Sequence, residues 1–290
     1  MQDLTRRLGD RASESLESSG LLDRTGKLLT RAFARVVPSG GLKDLLSGTW
    51  LGHPVHPILT DVPIGAWTAS MAFDAVGGER SRRASDSLVG LGILAAVPTA
   101  VTGLSELADT VDRKERSLAA AHAVGNVAAL LLYSFSYVAR KRGRRRGGVL
   151  LSTTGWAALL GSGFLGGHLA FRKGVGVDRT RFDHRLDDWT ATIREQDLPE
   201  AKPRKVTVGR TDVLLYREDD RIYAVAARCS HRGGPLHKGR VEDLHVTCPW
   251  HLSTFDLNDG SIVRGPATAP QPAYEVRVES GTIEVRTPPT

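Results

Sequence analysis

Cysteine is almost absent from this chain. Two cysteines in 290 residues exclude a disulfide framework. The opening MQDLTRRLGD leads into polar sequence and lacks the short apolar core expected of a cleavable signal peptide. Acidic residues fall short of basic ones, 32 against 39, which leaves a net charge of +7. That balance suits an anionic membrane or nucleic acid. The arginines cluster beside apolar runs, as in RKRGRRRGG (140–148), so the membrane is the expected partner and nucleic acid is not. A mean hydropathy of −0.19 averages two unlike kinds of sequence, apolar over 58–171 and polar on either side.

Four apolar stretches are each long enough for a bilayer, which takes about 20 helical residues. They are ILTDVPIGAWTASMAFDAVG (58–77), SLVGLGILAAVPTAVTGLSELA (87–108), LAAAHAVGNVAALLLYSFSYVA (118–139) and GVLLSTTGWAALLGSGFLGGHLAF (148–171). Short charged connections join them, so a four-helix transmembrane domain is expected over 45–172. Asp61, Asp74 and Glu106 interrupt the apolar pattern. Residues 1–44 read as a polar, amphipathic segment. Within it LLDRTGKLLTRAFARVV (21–37) places Leu22, Leu29, Phe33 and Val36 on one helical face with basic residues opposite.

After residue 171 the pattern changes to alternation. KVTVGRTDVLLYREDDRIYAVAA (205–227) holds two β-prone runs around a polar turn. YEVRVESGTIEVR (274–286) reads as a hairpin turning at Ser-Gly. A linker over 173–187 and an all-β domain over 188–287 follow from this.

Both cysteines lie in CSHRGGPLHKGRVEDLHVTCPWH (229–251). A Cys-x-His pair and a Cys-x-x-His pair flank sixteen residues, 232–247. Three centres could use them. Zinc takes two Cys and two His, usually from wider spacing. Two buried structural cysteines with incidental histidines are the second. The third is a [2Fe–2S] cluster of mixed ligation, for which two parallel loops would each give one ligand to each iron.

Residues 188–287 resemble a Rieske ferredoxin domain. The resemblance lies in DDWTATIREQDLPEAKP, the loops CSHRGGPL and CPWHLSTFDLNDG, and the downstream GPATAP. It implies one [2Fe–2S] cluster, with Cys229 and Cys248 on a buried iron and His231 and His251 on an exposed one. Pro266 falls in the loop that covers the cluster in that family. The departures matter as well. Quinol-oxidising members carry an extra disulfide-bonded cysteine in each loop, where this chain has Gly234 or its neighbours and Trp250. Their tyrosine near the cysteine sulfur corresponds here to Phe255, while Ser253 can still donate a hydrogen bond. Fewer bonds to sulfur stabilise the added electron less, so the expected potential is nearer about −150 mV than +300 mV.

Rieske oxygenases add a mononuclear iron held by two histidines and a carboxylate. No histidine follows residue 251, and His184 with Asp183 and Asp187 is the only candidate set, better read as a solvated loop. His237 and His245 read as ordinary surface or strand residues. An electron-transfer protein or oxidoreductase component is therefore expected rather than a stand-alone enzyme.

LGHPVHPILTDVPIGAW (51–67) resembles an uncharacterised bacterial membrane-domain family marked by GHPxHP and D-x-P-I-G, over roughly 45–172. That resemblance supplies no activity. With alternating spans, His53, His56, Asp61, Glu106, His122 and His168 fall toward one face of a multi-pass cell-membrane protein. The Rieske domain follows from that same face. Ionisable groups in a membrane suggest function. A second metal or haem site using His122 and His168 is one reading, and a quinone pocket is another. Histidines bonded to backbone or water at headgroup level are the third. The expected electron partners are a redox protein or a membrane quinone. A membrane sensor with a structural zinc is a further class, which metal analysis separates.

Overall fold

The computed structural model describes residues 2–289. Seven helices come first: α1 (Gln2–Ser18), α2 (Gly20–Val36), α3 (Gly41–Ser47), α4 (Val55–Val76), α5 (Glu79–Ala108), α6 (Arg113–Lys141) and α7 (Arg145–Gly167). A π-helical turn, His168–Arg172, extends α7. Ten strands follow between Thr190 and Arg286. The chain forms two compact units, one of residues 1–37 and 55–175, the other of residues 38–54 and 176–290.

In the first unit α4 pairs with α5 and α6 with α7. Of these helices, α5, α6 and α7 with its extension are long and apolar enough to cross a membrane. The first apolar stretch of the sequence lies in α4, which is not among the three. His56, Asp61 and Asp74 dilute its hydropathy. Asp112 starts α6 by accepting from the backbone N–H groups of Lys114 and Glu115, and Arg140 and Lys141 close it at the negative end of its dipole.

The two hairpins repeat one plan. Nδ1 of His56 on α4 donates to the Thr99 carbonyl on α5 at 2.9 Å, and Nδ1 of His122 on α6 donates to the Ser162 carbonyl on α7 at 2.8 Å. Four residues on, Gly103 and Gly166 make room for these rings. A Cβ there would stand 2.8 Å from His56 Cε1 and 2.9 Å from His122 Cε1. One level further in, Trp67 and Tyr133 stack at 4.1 Å and 4°. Gly92 and Gly155 are the glycines that clear space for them. At the far level Asp74 pairs with Arg140, 66 positions on, the same offset that separates His56 from His122 and Trp67 from Tyr133. Parallel repeats of two helices imply a pseudo-two-fold axis along the helices, between α4 and α6.

The Asp74 level is a buried ionic network. Arg140, with a fully buried side chain, binds Asp74 at 2.5 Å and Asp86 at 3.1 Å, and Arg145 reaches both acids. Ser85, Ser136 and Ser152 supply further partners to the guanidinium.

The amphipathic stretch 21–37 folds as α2. Asp23 and Gly26 are its buried residues. Asp23 bonds Arg116 of α6 at 2.9 Å, and a Cβ at Gly26 would stand 2.7 Å from Arg116 Cγ. Leu22, Leu29 and Phe33 are half-buried, but Val36 is 77% exposed.

In the second unit, strands β1 (Thr190–Arg194), β2 (Arg204–Val208), β3 (Thr211–Glu218) and β4 (Arg221–Ala226) are followed by β5 (Arg240–Glu242), β6 (His245–Thr247), β7 (Thr254–Asp256) and β8 (Ile262–Arg264). The last two are β9 (Glu275–Glu279) and β10 (Thr282–Arg286). They form three antiparallel sheets, β1-β10-β9, β2-β3-β4 and β5-β6-β7-β8. Period-two alternation sorts β3 and β4 between two cores. Leu214, Tyr216, Tyr223 and Val225 face a core that contains Cys229, Cys248 and Phe255. Val213, Leu215, Ala224 and Ala226 face another with Ile283 and Val285. The expected hairpin is β9–β10, with Ser280 and Gly281 at positive φ in its two-residue turn.

Candidate iron–sulfur site

The cysteine loops are copies of one another at backbone level. Cys229 N donates to the Gly234 carbonyl at 2.8 Å, and Gly233 N donates to the Cys229 carbonyl at 2.9 Å. In the second loop Cys248 N donates to the Ser253 carbonyl at 2.8 Å, and Leu252 N to the Cys248 carbonyl at 3.1 Å. Four residues after each cysteine the backbone turns left-handed, at Gly233 (φ 74°) and Leu252 (φ 64°). A non-glycine residue is uncommon there, so Leu252 is held by the loop around it.

This turn aims backbone N–H groups at the sulfurs. His231 and Arg232 donate to Cys229, and Trp250 and His251 donate to Cys248. Both cysteines are buried. The Cys229 thiol shares a hydrogen bond with Cys248, which, with burial, holds Cys229 well above the ordinary thiol range. The same bond, helped by the backbone donors, pulls Cys248 down to about 7. Two thiols this close form the sulfur side of the site. On the imidazole side His231 and His251 are half-buried, their ring centroids 5.1 Å apart and planes at 89°. Two adjacent sulfurs with sulfur-directed N–H groups, and two adjacent imidazoles, fit the donor set of a mixed-ligand [2Fe–2S] cluster.

Gly234 permits the loops to meet. A Cβ there would stand 2.9 Å from Cys248 Sγ and 3.1 Å from Trp250 Cδ2, so Gly234 and Trp250 face one another across the two loops. Phe255 is fully buried and brings no hydroxyl. Ser253 is also fully buried, and its Oγ accepts from Ala267 N at 3.0 Å, which ties the loop after Pro266 to the second cysteine loop.

Gln271 ties it to the first. This side chain, 1% exposed, accepts from Ser230 N at 3.0 Å and donates to the carbonyls of Ala226 and Arg228. Ser230 Oγ adds a bond to the Ala269 carbonyl at 2.8 Å. Sequence reasoning missed Gln271. The available signal was a lone amide set between two prolines, PQP (270–272), in an otherwise apolar loop.

The membrane histidines do not gather into one site. His56 and His122 come together, with ring centroids 6.5 Å apart. Both nitrogens of His122 are engaged, Nδ1 with Ser162 and Nε2 accepting from Asn126 at 3.0 Å. His168 lies with Ser13 and Glu17 instead. Asp61 is exposed, and His53 falls in the other compact unit. Among the described residues no three His, Cys, Asp or Glu side chains gather as a single-ion site.

Comparison with known proteins agrees with both halves. The Rieske [2Fe-2S] domain family matches residues 188–275, and the family described as predicted membrane protein (DUF2231) matches residues 52–179. The anthranilate 1,2-dioxygenase ferredoxin subunit of Burkholderia cepacia is 30% identical over 100 residues, covering 34% of this chain and 93% of that protein. Sulredoxin of Sulfurisphaera tokodaii is 33% identical over 105 residues, covering 33% of this chain and 96% of its own length. Against apoptosis-inducing factor 3 of Homo sapiens the chain is 30% identical but spans only 16% of that protein. Among solved structures, the ferredoxin of carbazole 1,9a-dioxygenase from Nocardioides aromaticivorans aligns with 27% identity over 35% of this chain and all of that one, at a TM-score of 0.34. With ferredoxin relatives matched over almost their whole length, the chain belongs to the Rieske [2Fe-2S] domain family.

Proposed function

We propose that this protein is a membrane-anchored one-electron carrier whose [2Fe–2S] cluster is held by Cys229, His231, Cys248 and His251, beneath the loop that carries Pro266. The observation that carries the reading is the paired backbone plan of the two loops, with two N–H groups directed at each sulfur. A bound [2Fe–2S] cluster supplies a centre that takes up and releases a single electron. Cys229 and Cys248 would hold it from the buried side, where their N–H donors offset added negative charge. His231 and His251 form the half-exposed edge. Trp250 and Leu252, 44% and 42% exposed, flank His251 and give a partner an apolar rim. A ferredoxin subunit of a dioxygenase is among the relatives, so the partner proposed is a redox protein, with a membrane quinone as the alternative.

The internal repeat supports all four helices α4 to α7 as spans of a bacterial membrane protein. α4 occupies the place of α6 in the duplicated plan, and α6 is long and apolar enough to cross. Reporter fusions after Gly78 and Gly143 would then report one side of the membrane, and a fusion after Thr110 the other. A fusion after Thr110 on the same side as Gly78 would remove this arrangement.

A redox titration of the full-length protein tests the site. The midpoint should lie toward about −150 mV and below about +200 mV, within the range open to Rieske centres. Ser253→Ala should lower it further, since a hydroxyl donor near sulfur stabilises the reduced form. An unchanged or higher midpoint in the variant would show that Ser253 serves only the Ala267 contact.

A further inference from the structure

Residues 38–54 lie outside the matched Rieske segment, 188–275, yet they belong to the same compact unit. Their α3 and the turn Thr49–Leu51 form a strap that meets the Rieske residues at the exit of β8. A Cβ added to Gly265 would overlap Thr49 Oγ1 and stand 2.8 Å from Asp44 Oδ1. Only glycine allows this approach. One residue earlier, the Arg264 guanidinium comes within 3.4 Å of where a Cβ of Gly40 would be. The strap therefore grips both residues before Pro266.

Two polar atoms are sealed into this contact. Asp44 Oδ1 and Thr49 Oγ1 are buried with no hydrogen-bond partner among the described residues. Leaving a buried acceptor without a partner is costly, so such a contact calls for a reason. Its position gives one. Gly265 leads through Pro266 to Ala267, whose N–H is bonded to Ser253 Oγ, and the Ser253 carbonyl accepts from Cys248 N. The carboxylate thus rests on the first residue of a short bonded path to a sulfur of the site.

We propose that Asp44 and Thr49 are positioning residues of the iron–sulfur site, which seat the Pro266 loop through Gly265 and set a fixed negative charge beside it that lowers the reduction potential. The inference rests on the ligand assignment proposed above. Its physical basis is the repulsion met when an electron is added near a fixed anion, which is felt more strongly away from bulk water. It gives the low expected potential a second cause, besides the missing tyrosine hydroxyl. It also makes the segment that leads into α4 part of the redox centre rather than a tether.

The test compares full-length wild type with Asp44→Asn, Asp44→Glu and Gly265→Ala, each assayed for iron, for the EPR signal of the reduced state and for midpoint potential. Asp44→Asn should keep its iron and become easier to reduce, while Asp44→Glu stays with the wild type. Gly265→Ala forces the strap away and should shift both midpoint and EPR line shape. Full iron with a wild-type midpoint in Asp44→Asn and Gly265→Ala would overturn the proposal and leave the cluster assignment standing. Wild-type protein that binds no iron would overturn both.

Discussion

Cys248→Ser removes the iron–sulfur centre while the helical unit stays folded. Cys248 is one of the two sulfurs to which the paired loops each direct two backbone N–H groups. Its thiol is pulled to about 7 by the Cys229 bond and by the N–H groups of Trp250 and His251. A serine hydroxyl at the same place keeps its proton at neutral pH and offers a harder, poorer ligand to iron. Changes in groups that merely surround a metal already cost about 10–100-fold in affinity, so loss of one of the four proposed ligands should cost more. The expected result is iron content reduced by well over about tenfold, with no reduced-state EPR signal. The helical unit has its own core around Trp67 and Tyr133, so its helical circular dichroism should persist. Iron retained at the wild-type level in the serine variant would remove Cys248 from the ligand set.

Arg140→Ala is expected to have the largest effect on the helical unit. The side chain is fully buried and bonds Asp74, Asp86, Ser85, Ser136 and Ser152. Its loss leaves the Asp74 carboxylate, itself only 6% exposed, with Arg145 and Ser85 as remaining partners. Breaking a buried ion pair from one side costs about 3–5 kcal/mol when a charge is left unpaired, and Arg145, which still pairs Asp74 at 2.6 Å, holds the loss toward or below the lower end of that range. Thermal unfolding in detergent should show this as a large loss of stability. Adding Asp74→Asn to Arg140→Ala should recover part of it by removing the stranded charge. A single variant as stable as the wild type, or a double variant worse than the single, would mean that the pair contributes little.

The iron–sulfur loops were legible because their chemistry is local. Each loop puts a cysteine and a histidine within four residues, and the chain has no other cysteines to confuse the pattern. The β9–β10 hairpin was legible for the same reason, with alternation on both sides of a Ser-Gly turn. The apolar stretches also became helices, though longer than their apolar cores. α6 runs from Arg113 to Lys141 where the pattern suggested 118–139, because capping and charged end residues extend a helix beyond its apolar part.

Long-range features were not legible. The two-fold plan of the helical unit is hidden in sequence, since most mates differ chemically. Tryptophan answers tyrosine, threonine answers serine, and aspartate answers the arginine it binds. The histidines, the clearing glycines, Ser70 with Ser136 and Gly77 with Gly143 repeat as such. Asp74 reads as a flaw in an apolar run because its partner lies on another helix. The grouping of residues 38–54 with the C-terminal unit, where a boundary at 45 was expected, depends on contacts at Gly265 that no local pattern announces.

The most direct measurement is pulsed EPR of the dithionite-reduced, full-length protein grown with isotopically labelled histidine. Two histidine nitrogen couplings to the paramagnetic centre are expected in the wild type, and His231→Ala or His251→Ala should lose the centre as Cys248→Ser does. A centre without histidine nitrogen coupling, or protein that carries zinc in place of iron, would contradict the Rieske assignment.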